Sequence, residues 1–174
     1  MNHDYQSLLI AMMQEDQKLI SVNDADAKKF QNQNKRHIKQ LKNILLDIKE
    51  PRISILGKDG ALAAWLLVQH ASYDKNFQKT YLRLTKSLYK KDPKDVYVEG
   101  IAYLEDRILC GEHNRQRYGT QFKESQAHKG SLEPYTIIDP KNLDKRRLSM
   151  GLPAMQEYVV ELEKVYGKKV IYSQ

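Results

Sequence analysis

The side chains best suited to chemistry fall in three short segments, and the first contains His70. Imidazole exchanges a proton near neutral pH, which makes His70 a candidate general base or ligand. Asp74 follows four residues later and would face His70 if a helix continued between them. A histidine at the end of the apolar run 61–70 is equally suited to a hydrogen-bonded place in the core. Two possible ligands do not make a metal site, and none is predicted.

The second segment places Asp106 beside Arg107 near the end of a predicted helix. On the helical wheel they join Glu99 and Tyr103 in a polar stripe opposite an apolar one. Such a stripe can face water. A guanidinium beside a carboxylate can instead bind an anionic substrate or brace a loop through paired hydrogen bonds.

The third segment, residues 116–121, reads Gln-Arg-Tyr-Gly-Thr-Gln at a predicted helix-to-strand transition. Its amides, phenol and hydroxyl can orient a polar ligand, and glycine allows close backbone approach. The same groups can satisfy a tight turn. The chain lacks the GxxxxGK[ST], GxGxxG, GxSxG and HExxH patterns, so the common nucleotide-binding and hydrolase mechanisms lose their sequence support and no cofactor is predicted.

Together these segments resemble an uncharacterised bacterial family whose signature is QHA, DR, QxYGTQ, D, RR and GL. The matching stretches are residues 60–71, 74–78, 104–109, 116–122 and 139–153, within a span of roughly 50–158. The resemblance implies a shared surface to which catalytic and ligand-binding residues contribute. The implied catalytic residues are His70, Asp106 and Arg107, and the implied ligand-binding residues are Gln69, Gln116, Tyr118, Thr120, Gln121, Arg146 and Arg147. It implies no reaction.

Composition sets the class of protein. The chain has 174 residues, 41% hydrophobic and 29% charged, which is ordinary globular usage. Its longest apolar run, residues 61–68, is less than half the roughly 20 residues that span a bilayer, so no membrane helix is expected. The single cysteine, Cys110, excludes an internal disulfide, and no basic segment marks a secretory signal. These features favour a cytoplasmic protein.

Apolar periodicity predicts the elements that carry the three segments. We expect helices over 4–21 and 25–49, an extended piece at 53–56 with a turn at 57–60, and a central helix over 61–70 that buries Trp65. A helix capped by Ser72 or Asp74 follows, then one from Asp92-Pro93 to about Cys110. A two-stranded hairpin is expected near 118–138, and two short helices begin near Asn142 and Pro153.

The predicted fold is therefore mainly α, a single compact helical domain of about six or seven helices with a small β-hairpin near residues 118–138. Within the single domain 1–174, residues 1–49 form an N-terminal helical pair and 50–158 the family-like core. Residues 159–174 complete the C-terminal helix and tail.

Charge is uneven along the chain. The net charge is +7, and residues 28–58 hold nine Lys or Arg against Asp47 and Glu50. On the wheel these cations oppose Ile38, Leu41 and Ile44, which is typical of a solvated helix face and also available to a polyanion.

Two function classes follow. The first is a small pocket for a polar or anionic molecule, in which His70 acts as base or donor and Arg107 binds negative charge. The second is a non-enzymatic module whose basic helical surface meets an acidic protein partner, with the signature bracing the hairpin. Nucleic-acid binding is less favoured, because no aromatic residues interleave with the cations. Membrane binding is not expected.

Overall fold

The computed structural model describes residues 4–20 and 27–172. Within them lie seven α-helices and four short strands, which confirms the mainly helical prediction. The helices are α1 Tyr5–Ile20, α2 Ala27–Ile48, α3 Ile53–His70, α4 Lys75–Lys91, α5 Val98–His113, α6 Leu143–Ser149 and α7 Met155–Tyr166. The strands are β1 Arg115–Gln116, β2 Phe122–Glu124, β3 Leu132–Pro134 and β4 Thr136–Ile137. No helix of the described residues is long and apolar enough to cross a membrane.

The chain forms two compact units, residues 1–100 and 101–174, so that α5 begins in the first and continues in the second. This boundary differs from the predicted subdivisions at 49/50 and 158/159. The expectation of a single domain stays a prediction.

The first unit is a helical assembly in which α1 packs on both α2 and α3. Its apolar stripes meet as the periodicity predicts, with Leu9 of α1, Leu41 of α2 and Leu67 of α3 completely buried. The central helix buries Ala63, Ala64 and Val68 as well. Trp65, which we expected to be fully buried, is only half-buried and meets Tyr97 edge to face at 5.3 Å between ring centroids.

Two local predictions in this unit are wrong. Residues 53–56 are the first turn of α3 rather than an extended piece, and the helix is kinked at Gly57, whose φ of 69° is readily available only to glycine. Asp92 caps a 3-10 turn, Pro93–Asp95, instead of a helix. Helix α5 therefore starts later, at Val98, and continues to His113.

The second unit carries the small β structure. Strands β2 and β3 form the predicted antiparallel hairpin, with Phe122 opposite Pro134. The hairpin is shorter than expected, because residues 118–121 are a loop and β4 pairs in parallel with β1. Below it, Leu143, Met155, Val159, Leu162 and Val170 form an apolar core.

Helix α5 offers a matched pair of glycines as a test of packing. A Cβ at Gly100 would lie 2.6 Å from Tyr97 Cδ1 and 2.7 Å from Trp65 Cδ1, whereas one at Gly111 would meet no atom within 4 Å. We expect Gly100→Ala to lower the free energy of unfolding by about 1–3 kcal/mol through overpacking. Gly111→Ala should leave it unchanged or raise it by about 0.5–1 kcal/mol, as alanine is the better helix former. Urea unfolding of both variants measures the difference, and equal values would show that the Trp65 contact is not tight.

Candidate functional site

His70 ends α3 and its ring is bound by a carboxylate from α1. The Nδ1 atom lies 2.5 Å from Oδ2 of Asp16. Only 1% of the Asp16 side chain is exposed, against 18% of His70. Phe30 of α2 closes another side of the imidazole, edge to face at 5.8 Å. The histidine is thus held by a buried acid while part of its own ring reaches the surface.

Asn34 of α2 completes this arrangement. Its Nδ2 donates to Oδ1 of Asp16 and to the carbonyl oxygen of Leu67, each at 3.3 Å. Both oxygens of the Asp16 carboxylate therefore have a partner, as a buried charge requires. The network ties α1, α2 and α3 together at the point where His70 leaves the core.

A second imidazole–carboxylate pair lies one residue back on α1. Glu15 Oε2 accepts from Gln33 Nε2 at 3.0 Å and lies 3.2 Å from Nε2 of His37. Here the exposure is reversed, because His37 is buried and Glu15 is exposed. This pair joins α1 to α2, and a substitution of His37 serves as the control for the same substitution of His70.

Sequence reasoning did not identify Asp16, although a signal was present. Asp16 continues the stripe Leu9, Met12 at helical spacing, and all three residues are buried. An acid on a buried stripe requires a partner. The partner we considered for His70, Asp74, is elsewhere occupied: it caps α4 through the Phe77 N–H at 3.0 Å and accepts from Lys42 Nζ at 2.7 Å. The bond from Lys42 lowers the pKa of Asp74.

Gln69, the other predicted site residue of the first unit, is buried beside His70 in the last turn of α3. Its carbonyl oxygen and that of Val68 accept from Nε2 of Gln78, at 3.4 and 2.9 Å. The last turn of α3 is therefore capped by a side chain from α4.

In the second unit the central residue is Asp106, which is completely buried and does not face water. Its carboxylate accepts four hydrogen bonds from the loop after β1: the N–H groups of Arg117, Tyr118 and Thr120 at 2.7, 3.1 and 3.0 Å, and the Thr120 hydroxyl at 3.0 Å. Burial raises the pKa of Asp106, and the donors of the loop oppose that shift.

Gln116 closes the same loop from β1. Its Oε1 accepts from the Gln121 N–H at 2.8 Å, and its Nε2 donates to the carbonyl oxygens of Gln121 and Tyr135 at 2.9 and 3.0 Å. The Gln121 side chain in turn donates to Thr120. Both amides of the segment are bound to backbone. Gly119 supplies the turn between them with a φ of 67°.

The two arginines of α6 bind the opposite side of that loop. Arg147, fully buried, donates from Nη1 to the Tyr118 carbonyl at 2.5 Å and from Nε to that of Pro153 at 2.7 Å. Its guanidinium lies 4.6 Å over the Tyr158 ring. Burial lowers its pKa. Arg146 donates to the carbonyls of Arg117 and Ile138, at 3.0 and 2.5 Å.

Two further predicted residues flank this network. The Tyr118 ring is buried, its hydroxyl donates to Glu105 at 3.4 Å, and burial raises its pKa to about 12, so the phenol stays protonated at neutral pH. Arg107 is half-buried, and burial lowers the pKa of its guanidinium. Anion binding by Arg107 stays a prediction.

The structure thus brings seven predicted site residues of the second unit together around residues 117–121. They are Asp106, Gln116, Tyr118, Thr120, Gln121, Arg146 and Arg147. Gln69 and His70 lie in the first unit with Asp16 and Gln78. Across the described residues, no group of three or more His, Cys, Asp or Glu side chains is arranged to hold a metal ion.

The chain belongs to a family of unknown function, DUF6624, whose family model matches residues 3–171. That match confirms the resemblance to an uncharacterised family. Neither a curated protein nor a solved structure matches the chain.

The Asp106 network predicts a large loss of stability on a small change. Asp106→Asn replaces one acceptor oxygen by an NH₂ group that faces loop N–H donors, and should lower the free energy of unfolding by about 1–3 kcal/mol or more. Asp139→Asn is the matched control, because the Asp139 side chain is 51% exposed and its bond to Arg146 is worth about 0–1 kcal/mol. Urea unfolding gives both values, and faster thermolysin cleavage within residues 117–121 should accompany the first change alone. Equal losses would mean that the loop does not depend on Asp106.

Proposed function

Because a family of unknown function supplies no reaction, we propose from the geometry that His70 is the functional centre of this chain. It binds a small polar or anionic molecule and exchanges a proton with it at Nε2, with Asp16 as the positioning residue. The observation that carries this proposal is the 2.5 Å contact between a partly exposed imidazole and a buried carboxylate.

The contact assigns the two ring nitrogens different tasks. An ionised carboxylate only accepts hydrogen bonds, so Nδ1 carries the hydrogen that Asp16 accepts. The neutral ring then holds its lone pair at Nε2, the form that a general base needs. Within the described part of the chain Nε2 makes no hydrogen bond, which leaves it to a ligand.

The same arrangement accounts for the class of ligand. Neutral His70 accepts a hydrogen bond from a hydroxyl or amine through Nε2. Once protonated, it presents a cationic N–H that favours an anion, and the Asp16 carboxylate stabilises the imidazolium behind it. A polar or anionic molecule fits both states.

We assign a supporting role to the network around Asp106. Gln116, Thr120, Arg146 and Arg147 all donate to or accept from the protein itself, which supports a bracing function for them. Catalysis by Asp106 would require it to release four hydrogen bonds. A cytoplasmic location is part of the proposal and rests on composition.

Chemical modification tests whether Nε2 of His70 is accessible and reactive. Diethyl pyrocarbonate acylates unprotonated imidazole, and mass spectrometry reports the rate at each histidine. We expect His70 to react at neutral pH and Asp16→Asn to slow that reaction several-fold, because the amide no longer stabilises the cationic transition state. Exposed His128 serves as the internal control and should be unaffected. An unreactive His70, or a rate independent of Asp16, contradicts the proposal.

A thermal-shift panel tests binding. Inorganic phosphate, acetate, simple amines, polyols and nucleotides should include a compound that raises the melting temperature by mass action. The shift should vanish in His70→Gln and persist in His37→Gln, each compared with its own ligand-free melting temperature. A shift retained by His70→Gln, or none across the panel, counts against His70 as a binding centre.

A further inference from the structure

We propose that the exposed face of α2 binds an acidic helical segment of a partner protein. This basic face consists of Lys28, Lys35, Arg36, Lys39 and Lys42, with Leu46 at its end. All six side chains are exposed. The inference is independent of His70, whose contacts lie on the buried side of α2.

Four of the five cations form a straight row. At about 3.6 residues per turn, Lys28, Lys35, Lys39 and Lys42 fall within an arc of about 60°, and Arg36 lies about 60° outside it. From the first of them to Leu46 the row is about 27 Å long at about 1.5 Å per residue. A partner helix that carries acids at i, i+7, i+11 and i+14 presents its carboxylates with the same spacing as Lys28, Lys35, Lys39 and Lys42.

Most of the positive charge of this row has no ion-pair partner among the described residues. In the described residues no carboxylate lies within 4 Å of Lys28, Lys35, Arg36 or Lys39. The single acid of α2, Asp47, accepts from the Tyr5 hydroxyl at 2.5 Å. Of these five cations, Lys42 alone has a carboxylate partner in the described part of the chain, Asp74. The face is therefore complementary to a negative surface.

Aromatic rings hold two of the ammonium groups in place. Lys35 Nζ lies 5.6 Å from the centroid of Tyr73, and Lys42 Nζ lies 4.8 Å from that of Phe77. Cation–π contacts of this kind restrict long side chains before binding, so less conformational entropy is lost in the complex. Both rings come from residues far from α2 in sequence, so the sequence of the helix alone does not predict these contacts.

Two features favour a protein over a nucleic acid. Leu46 is 69% exposed at the end of the basic face and provides an apolar anchor of the kind that protein interfaces use. The rings of Tyr73 and Phe77 each have a lysine over one face, which leaves them poorly placed as stacking platforms for bases.

Fluorescence anisotropy with a synthetic peptide tests the proposal. The probe is a labelled helix of about 24 residues with Glu at i, i+7, i+11 and i+14 and Leu at the position that meets Leu46. Replacing Lys28, Lys35 and Lys39 together by Gln should weaken its binding about tenfold or more. Replacing Lys58, Lys90 and Lys94 by Gln removes the same charge from exposed sites of the same unit and should change affinity little. Circular dichroism confirms that both triple variants fold.

Leu46→Ala and a single-stranded DNA of equal charge separate the partners. We expect Leu46→Ala to weaken peptide binding several-fold. Tighter binding of DNA than of the peptide, unaffected by Leu46→Ala, would overturn the proposal in favour of a nucleic-acid surface. Equal weakening by the two triple variants would reduce it to non-specific charge attraction, and no peptide binding at low salt would also refute it.

Discussion

The buried carboxylate of Asp106 is the constraint around which the second unit is built. A buried charge must be hydrogen-bonded, and the donors to Asp106 are N–H groups of the loop after β1. Once Arg117, Tyr118 and Thr120 turn their N–H groups toward Asp106, the carbonyls of the same peptides point the other way. The loop conformation follows from that single requirement.

The loop carbonyls that point away from Asp106 accept hydrogen bonds from the arginines of α6. Arg147 donates to the Tyr118 carbonyl and Arg146 to that of Arg117, so that the peptide groups of the loop lie between an anion on α5 and cations on α6. Each peptide dipole is then favourably aligned with both charges. The Arg147 guanidinium also lies over the Tyr158 ring, and this contact stabilises a cation to which no carboxylate bonds directly in the described residues. Residues 116–121 resemble a binding site in sequence because they are polar. Their polar groups serve to hydrogen-bond the loop to itself and to Asp106.

The extent to which the sequence predicts this structure depends on the range of the interactions. Helices whose apolar residues repeat every three or four positions are correctly predicted, as are the Asp74 cap and the hairpin around residues 118–138. The first turn of α3 is not predicted, because Gly57 suggests a turn in the sequence. In the structure Gly57 is a kink, and the chain is helical on both sides of it. In the site, the pairing of Asp106 with residues 117–120 spans 11 to 14 positions, and that of Asp16 with His70 spans 54. Periodicity does not predict which residues form such long-range pairs. An acid on an apolar stripe indicates only that it has a partner.

His70 differs from the other signature residues because its bond to Asp16 occupies only one of its two ring nitrogens. Asp106 accepts from four donors of the loop, and Gln116 and Arg146 are bound to backbone, so their polar groups stabilise the fold. Asp16 also has both oxygens bonded, to His70 and Asn34, yet an imidazole has a second nitrogen on the far side of the ring. The bond that fixes the orientation of His70 therefore also directs Nε2 away from Asp16. A side chain with two functional ends can be anchored by one and remain reactive at the other, whereas an amide or a guanidinium bound on all sides cannot. By this asymmetry the first unit holds a side chain that is both anchored and open to a ligand, while most of the signature residues stabilise the second unit.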